Sequence, residues 1–331
     1  MKSQQHFSVI DLLRGVAALS VVIFHYGTIT LPTLQPNDFH TILNFGKYGV
    51  QVFFVISGFV IPYSLHRNQY HISKYFSALS KRLVRICPPY YAAILVSIAM
   101  YYAALLYLGR PINGMVWPGM NAKFLIGHFM FMAPYLEIPW INPVFWTLAI
   151  EFQFYLLIGL LLPIITSGNS YFFVLLFFCF VILGFSPAFT FFNYSSFFIF
   201  GIIIFCYQSK LYQTRLLISI FIINVIFCYY QSNLTEIIFA LIAAAFILIN
   251  PQSKWKLTNF LGKISYSLYI THWVGGNIME FIIKNIYTVP SRNIYILLMI
   301  GVYTFLSIMI AYVFFLFIEA PSIKVSKRIQ I

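Results

Sequence analysis

Ten apolar runs, at about 8–30, 46–64, 88–108, 144–165, 171–187, 194–208, 215–231, 235–250, 262–283 and 293–318, occupy most of this chain. A helix needs roughly 20 residues, with tolerance for shorter runs, to cross the hydrocarbon of a bilayer. No water is present there to pair with backbone N–H and C=O groups, so runs of this kind fold as helices. The sequence therefore predicts an all-α, polytopic integral membrane protein with about ten transmembrane helices, forming one domain over residues 1–331 with no appended soluble domain. Composition agrees, since 61% hydrophobic residues, 8% charged residues and a mean hydropathy of +0.87 exceed what an ordinary water-soluble domain reaches. The signal is weakest in the short runs near 171–208 and in the loop 109–143, whose HFMFMAPYL stretch reads as re-entrant or interfacial.

The 20 Lys and Arg outnumber the 7 Asp and Glu, a balance that in a soluble protein would suggest nucleic acid. Here the basic residues sit in short loops between apolar runs, so topology accounts for them and no nucleic-acid partner is expected. With both termini cytoplasmic, only Lys47, Arg110, Lys123, Lys284 and Arg292 fall on the outer side, and the remaining fifteen of the 20 fall inside. Asp11 and Arg14 interrupt the first run, which reads as a retained helix rather than a cleaved signal peptide. Cys87, Cys179, Cys206 and Cys228 lack metal-ligand spacing and read as small buried hydrophobes, so neither a metal site nor a bound cofactor is expected.

Ionisable groups inside a spanning helix are costly and mark a transport path or a reaction site. Arg14 and His25 stand eleven positions apart in the first run. That spacing puts them on one helix face with a rise of about 16 Å between them. Ser57-Gly58 in the second run admits the close approach of another helix or of a ligand. Arg82 and Arg85 end the basic loop 65–89 three residues apart, where they would fork a phosphate at the inner surface, set topology or hold lipid head groups. Glu151 lies about a third of the way into its run from the outer side, at the depth of His25, so the two are expected to meet as an acid–base pair or as an interhelical hydrogen bond. Tyr266, Tyr269 and His272 form a polar cluster in the ninth run, and Glu319 closes the last at the cytoplasmic boundary, placed to pair with a basic inner loop. The Phe- and Ile-rich stretch 171–250, Glu236 apart, reads as scaffold.

In this order the residues resemble the acyltransferase family 3 membrane proteins. The resemblance rests on Arg14 with His25, VFFVISGF at 52–59, RLVR at 82–85, FWTLAIEFQFYL at 145–156, and SYSLYITHW at 265–273 with the closing EAP at 319–321. It covers nearly the whole chain. Where family members often carry two adjacent acids after the Trp-Ser/Thr-Leu run, this chain has Glu151 followed by Phe152, so one carboxylate carries over.

The resemblance implies an O-acyltransferase of a bacterial cytoplasmic (inner) membrane. It would take an acyl group, acetyl foremost, from cytoplasmic acyl-CoA to a hydroxyl of a cell-envelope saccharide such as O-antigen lipopolysaccharide, or of a lipid-linked precursor. Membrane lipid and the acceptor saccharide are then the partners. Arg82 and Arg85 would hold the CoA phosphates, His25 would act as base or acyl carrier, Glu151 would orient it and Arg14 would line the donor path. Ser57, Trp146, Tyr266 and His272 are the candidates for shaping a tunnel or binding the oxyanion. A proton-coupled transporter or flippase is the competing reading, since a buried His, Glu and Arg would equally serve a substrate path.

Overall fold

Among the described residues of the computed structural model, which are 8–30, 38–109, 119–186, 190–250, 256–286 and 293–330, every regular element is helical. The α-helices are α1 Ser8–His25, α2 Asp38–Asn44, α3 Gly49–Arg67, α4 Tyr75–Leu108, α5 Ala122–Phe129, α6 Phe145–Ile165 and α7 Ser170–Gly184. After these come α8 Ser195–Gln208, α9 Thr214–Gln231, α10 Leu234–Ile249, α11 Lys256–Ile286, α12 Asn293–Phe314 and α13 Ala320–Arg328. Six helical stretches are long and apolar enough to cross a membrane: Ser8–Ile29, His40–Arg67, Ile72–Tyr107, Phe145–Ile165, Thr214–Gln231 and Ile294–Arg328.

The other four expected runs also lie in helices, but not in ones that qualify by length and apolarity. α7, α8 and α10 have 15, 14 and 16 residues. α8 is apolar on every side and almost wholly buried, as befits a core helix rather than a lipid-facing one. α11 is long enough at 31 residues, yet it carries exposed lysines at its start and polar side chains that face protein; Ser265, Ser267 and His272 are fully buried in it.

Helices in lipid gain little from the hydrophobic effect between themselves and meet instead through shape. α3 and α8 cross backbone to backbone at Gly58 and Gly201. A Cβ on Gly58 would sit 2.1 Å from the Phe198 carbonyl oxygen, and one on Gly201 would sit 2.2 Å from that of Val55. The close approach at Ser57-Gly58 is therefore a helix contact. α1 meets α11 in the same way, with Gly15 against Leu261 and Gly262. The two helices then run side by side in one direction, so that His25 reaches His272 further along. α12 returns antiparallel, bringing Ser307 to Tyr26 and leading to Glu319 beside Ser267.

The expected loop 65–89 is mostly helix. The chain turns over only near Asn68–Lys74, and α4 starts at Tyr75 because nothing in KRLVRI breaks a helix before Pro88. Arg82 and Arg85 thus stand on a rigid element. HFMFMAPYL folds as the end of α5 and a 3-10 turn, held to α4 by Tyr90 and Tyr91, whose hydroxyls donate to the carbonyls of His128 and Phe129 at 2.9 and 3.0 Å. Cys87, Cys206 and Cys228 are buried, whereas Cys179 is exposed on α7.

Candidate active site

One cavity gathers most of the ionisable residues singled out in the sequence. Arg14 from α1, Ser57 from α3, Arg82 and Arg85 from α4, Glu151 and Tyr155 from α6, and Tyr266 and Tyr269 from α11 line it, together with Glu319. It spans about 890 Å³ of space free of atoms, part of it open to the outside. Three guanidiniums against two carboxyls leave an excess of positive charge, in a space walled otherwise by apolar side chains such as Phe53, Val60 and Ile86.

Several of the polar side chains there are held by neighbours. Ser57 donates to Glu151 Oε1 at 2.6 Å, and the Tyr155 hydroxyl donates to the same carboxyl. Tyr155 follows Glu151 by four residues, one turn along the same face, so its place was readable from spacing although sequence reasoning passed over it. The Arg82 guanidinium lies 5.9 Å above the Tyr155 ring, a cation–π arrangement. Glu319 ends a π-helical turn, Phe315–Glu319, and accepts from the Ser267 backbone N–H at 3.1 Å and from its hydroxyl at 2.5 Å. The expected pairing of Glu319 with basic residues is met only as electrostatic proximity to Arg14 and Arg85.

His25 does not line this cavity and does not meet Glu151. It ends α1, just before a π-helical turn over Tyr26–Thr30. Its Nδ1 lies 2.9 Å from the Val21 carbonyl oxygen and 3.2 Å from His272 Nε2. His272 is fully buried, with its own Nδ1 3.2 Å from the Leu268 carbonyl oxygen. The Tyr26 hydroxyl donates to the His272 carbonyl at 2.7 Å and also meets Ser307, which pins α1, α11 and α12 together at this level. The depth argument failed because Glu151 and His25 face different neighbours: Glu151 turns towards α3 and α4, His25 towards α11.

Tyr269 stands between the two groups. It lines the cavity, its hydroxyl shares a 2.7 Å hydrogen bond with Thr147, and its ring centroid is 6.0 Å from that of His272. Trp146 is elsewhere, its ring 5.2 Å from that of Tyr194 on the scaffold side, because successive residues of α6 face different ways and Thr147 takes the cavity position. Among the oxyanion candidates, Ser57 spends its hydrogen on Glu151 and Tyr266 donates to the Ile86 carbonyl at 2.9 Å. Trp273, which sequence reasoning did not single out, lies edge-on to His25 with ring centroids 5.5 Å apart, and its buried indole N–H has no hydrogen-bond partner among the described residues. Among the described residues no three His, Cys, Asp or Glu come together as a metal site would require.

A helical membrane protein with an arginine-lined cavity and a histidine pair beyond it has the parts of a membrane-embedded group-transfer enzyme. The chain belongs to the acyltransferase 3 family: the family model, described as an acyltransferase domain, matches residues 7–318. It is also 29% identical over 288 residues to a protein of Acidianus two-tailed virus named "Putative acetyltransferase ORF330", an alignment that covers 78% of this chain and 80% of the relative. No solved structure matches.

Proposed function

We propose that this protein moves an acyl group, acetyl foremost, from acyl-CoA on the cytoplasmic side of a bacterial inner membrane to a hydroxyl of a cell-envelope saccharide or its lipid-linked precursor. The observation that carries this reading is the convergence of Arg14, Arg82 and Arg85 in one cavity on a chain of the acyltransferase 3 family. Arginine forks suit phosphate and pyrophosphate, which acyl-CoA carries at the end remote from its thioester. Ten crossings with both termini in the cytoplasm would put this cavity at the inner face.

From Arg14 the line of α1 leads about 16 Å to His25, along which the slender acyl-pantetheine arm passes Tyr269. As the acceptor hydroxyl attacks the thioester carbonyl its proton goes to His25, the C–O bond forms and the C–S bond breaks. The imidazolium then returns the proton to the departing CoA thiolate. If His25 is the carrier, the same ring nitrogen attacks the thioester and the C–S bond breaks to release the CoA thiolate; the hydroxyl then attacks the acyl-imidazole, the C–N bond breaks, and the hydroxyl proton passes by way of the freed nitrogen to the thiolate. The unpartnered N–H of Trp273, whose ring lies beside His25, would serve as the donor to the developing oxyanion.

The test compares envelope-glycan O-acyl content, by mild-alkali release and NMR, in cells making wild type or His25→Ala at equal membrane levels. Acyl groups added by wild type and not by the variant support the reading, and the released acid identifies the group moved. Equal amounts added by the two strains would make His25 structural and move the site to Glu151 or His272, and none added by either sinks the reading.

A further inference from the structure

His25 and His272 share a wiring that decides which ring nitrogen of His25 is available for chemistry. Each has its Nδ1 against the backbone carbonyl four residues earlier, Val21 at 2.9 Å and Leu268 at 3.2 Å. A carbonyl oxygen only accepts, so each neutral ring carries its hydrogen on Nδ1. His272 Nε2 is then a bare lone pair, and it lies 3.2 Å from His25 Nδ1. The His25 Nδ1–H is shared between two acceptors, Val21 O and His272 Nε2, and the bare nitrogen of His25 is Nε2.

We infer that His272 is a positioning residue, a neutral imidazole that fixes His25 in its Nδ1–H form and supports it as a cation. It takes the part that a carboxylate plays in a Ser-His-Asp triad. In lipid a neutral partner has an advantage, because it adds no second charge to be buried when the pair is at rest. Once His25 Nε2 takes a proton, the Nδ1–H bond to His272 becomes charge-assisted and strengthens. His128 shows what the same local wiring does without such a neighbour. Its Nδ1 meets the Phe124 carbonyl at 2.9 Å while its Nε2 accepts from the Ile141 backbone N–H at 2.9 Å, an arrangement that only joins backbone segments. His272 is placed with equal care, through the Tyr26 hydroxyl on its carbonyl, but its Nε2 is given to a second imidazole. The titratable side chains facing the pair are Tyr26 from the π-helical turn after α1, Tyr269 from α11 and, behind Tyr26, Tyr303 from α12.

This inference rests on His25 as the acyl-transfer group, so its test has one arm that needs no activity. In detergent-solubilised full-length protein labelled with 15N-histidine, the His25 signals, assigned by their absence from His25→Gln, should show a protonated Nδ1 and a bare Nε2. The reverse tautomer overturns the inference whatever the enzyme does. In the activity arm, His272→Leu should lose on the order of 10²-fold in kcat with the KM for acyl-CoA unchanged. His272→Gln, whose amide oxygen can accept from His25 Nδ1, should recover part of that loss. Its kcat–pH profile should stay closer to wild type than that of His272→Leu. A Leu variant as fast as wild type, or a folded Gln variant no better than Leu, overturns the positioning role. Transfer absent from wild type itself counts against the acyltransferase reading and leaves the NMR arm to decide the tautomer.

Discussion

The two ends of α1 handle charge in opposite ways. At Arg14 the protein builds a cavity with three guanidiniums and two carboxyls, in which Ser57 holds Glu151, Ser267 holds Glu319 and the Tyr155 ring lies under Arg82. At His25 it builds a tight junction of three helices in which the groups in contact, His272, Trp273, Tyr26 and Ser307, carry no fixed charge. Fixed charge suits a ligand that brings its own counter-charge, as phosphates do. A proton or acyl transfer in a low-dielectric site works best where charge appears only during the reaction and fixed dipoles meet it. Under the proposed function, donor binding would fall to one end and chemistry to the other, and variants at each end should then separate KM from kcat.

His25→Ala should have the largest effect, a loss of about 10³-fold or more in transfer with acyl-CoA binding kept, since both the base and the carrier role need its ring. A calorimetric titration of purified variant with acetyl-CoA checks the second half, and lost binding would break the division. Trp273→Phe keeps the ring against His25 and removes only the N–H. It should cost about 10²-fold in kcat and leave KM alone; an unchanged kcat would remove Trp273 from the chemistry. At the other end, Arg82→Ala or Arg85→Ala each removes a charge-assisted contact worth about 1.5–3 kcal/mol, so the KM for acyl-CoA should rise roughly 10- to 100-fold with little change in kcat. A fall in kcat at saturating donor would argue that the two ends are not separate.

Much of the cavity lining was legible in the sequence, because ionisable residues in apolar runs are few and each needs a reason. Arg14, Arg82, Arg85, Ser57 and Tyr266, which the family resemblance implied for the donor path and tunnel, line one cavity. The close approach at Gly58 was legible too, but one sequence step separates it from Ser57, which turns the other way to reach Glu151. Pairing His25 with Glu151 failed because depth along two helices says nothing of the direction in which each side chain points. His272 and Trp273 were hard to weigh for the same reason: which face of α11 meets α1 is set by the glycine contact between Gly15 and Gly262, a tertiary fact. The count of crossings was the least legible part, since α8 is apolar because it is buried in protein and α11 is polar for the same reason.

Ser57→Ala should have the smallest effect and gives the finest test of where Glu151 belongs. The substitution removes one oxygen from a cavity wall and one donor, at 2.6 Å, from the Glu151 carboxyl, leaving Tyr155 as its remaining donor. A hydrogen bond to a carboxylate contributes about 1.5–3 kcal/mol, but it restrains Glu151 rather than the donor, so only part of it reaches KM. With that restraint gone the carboxyl can turn towards Arg82, which faces the same space, and compete with an incoming phosphate. The KM for acyl-CoA should therefore rise a few-fold while kcat holds, and raising the donor concentration should restore the full rate. The opposite split, a lower kcat with KM unchanged, would mean that Glu151 acts on the histidine pair, and the separation between the two ends of α1 would have to be redrawn with Glu151 on the chemical side.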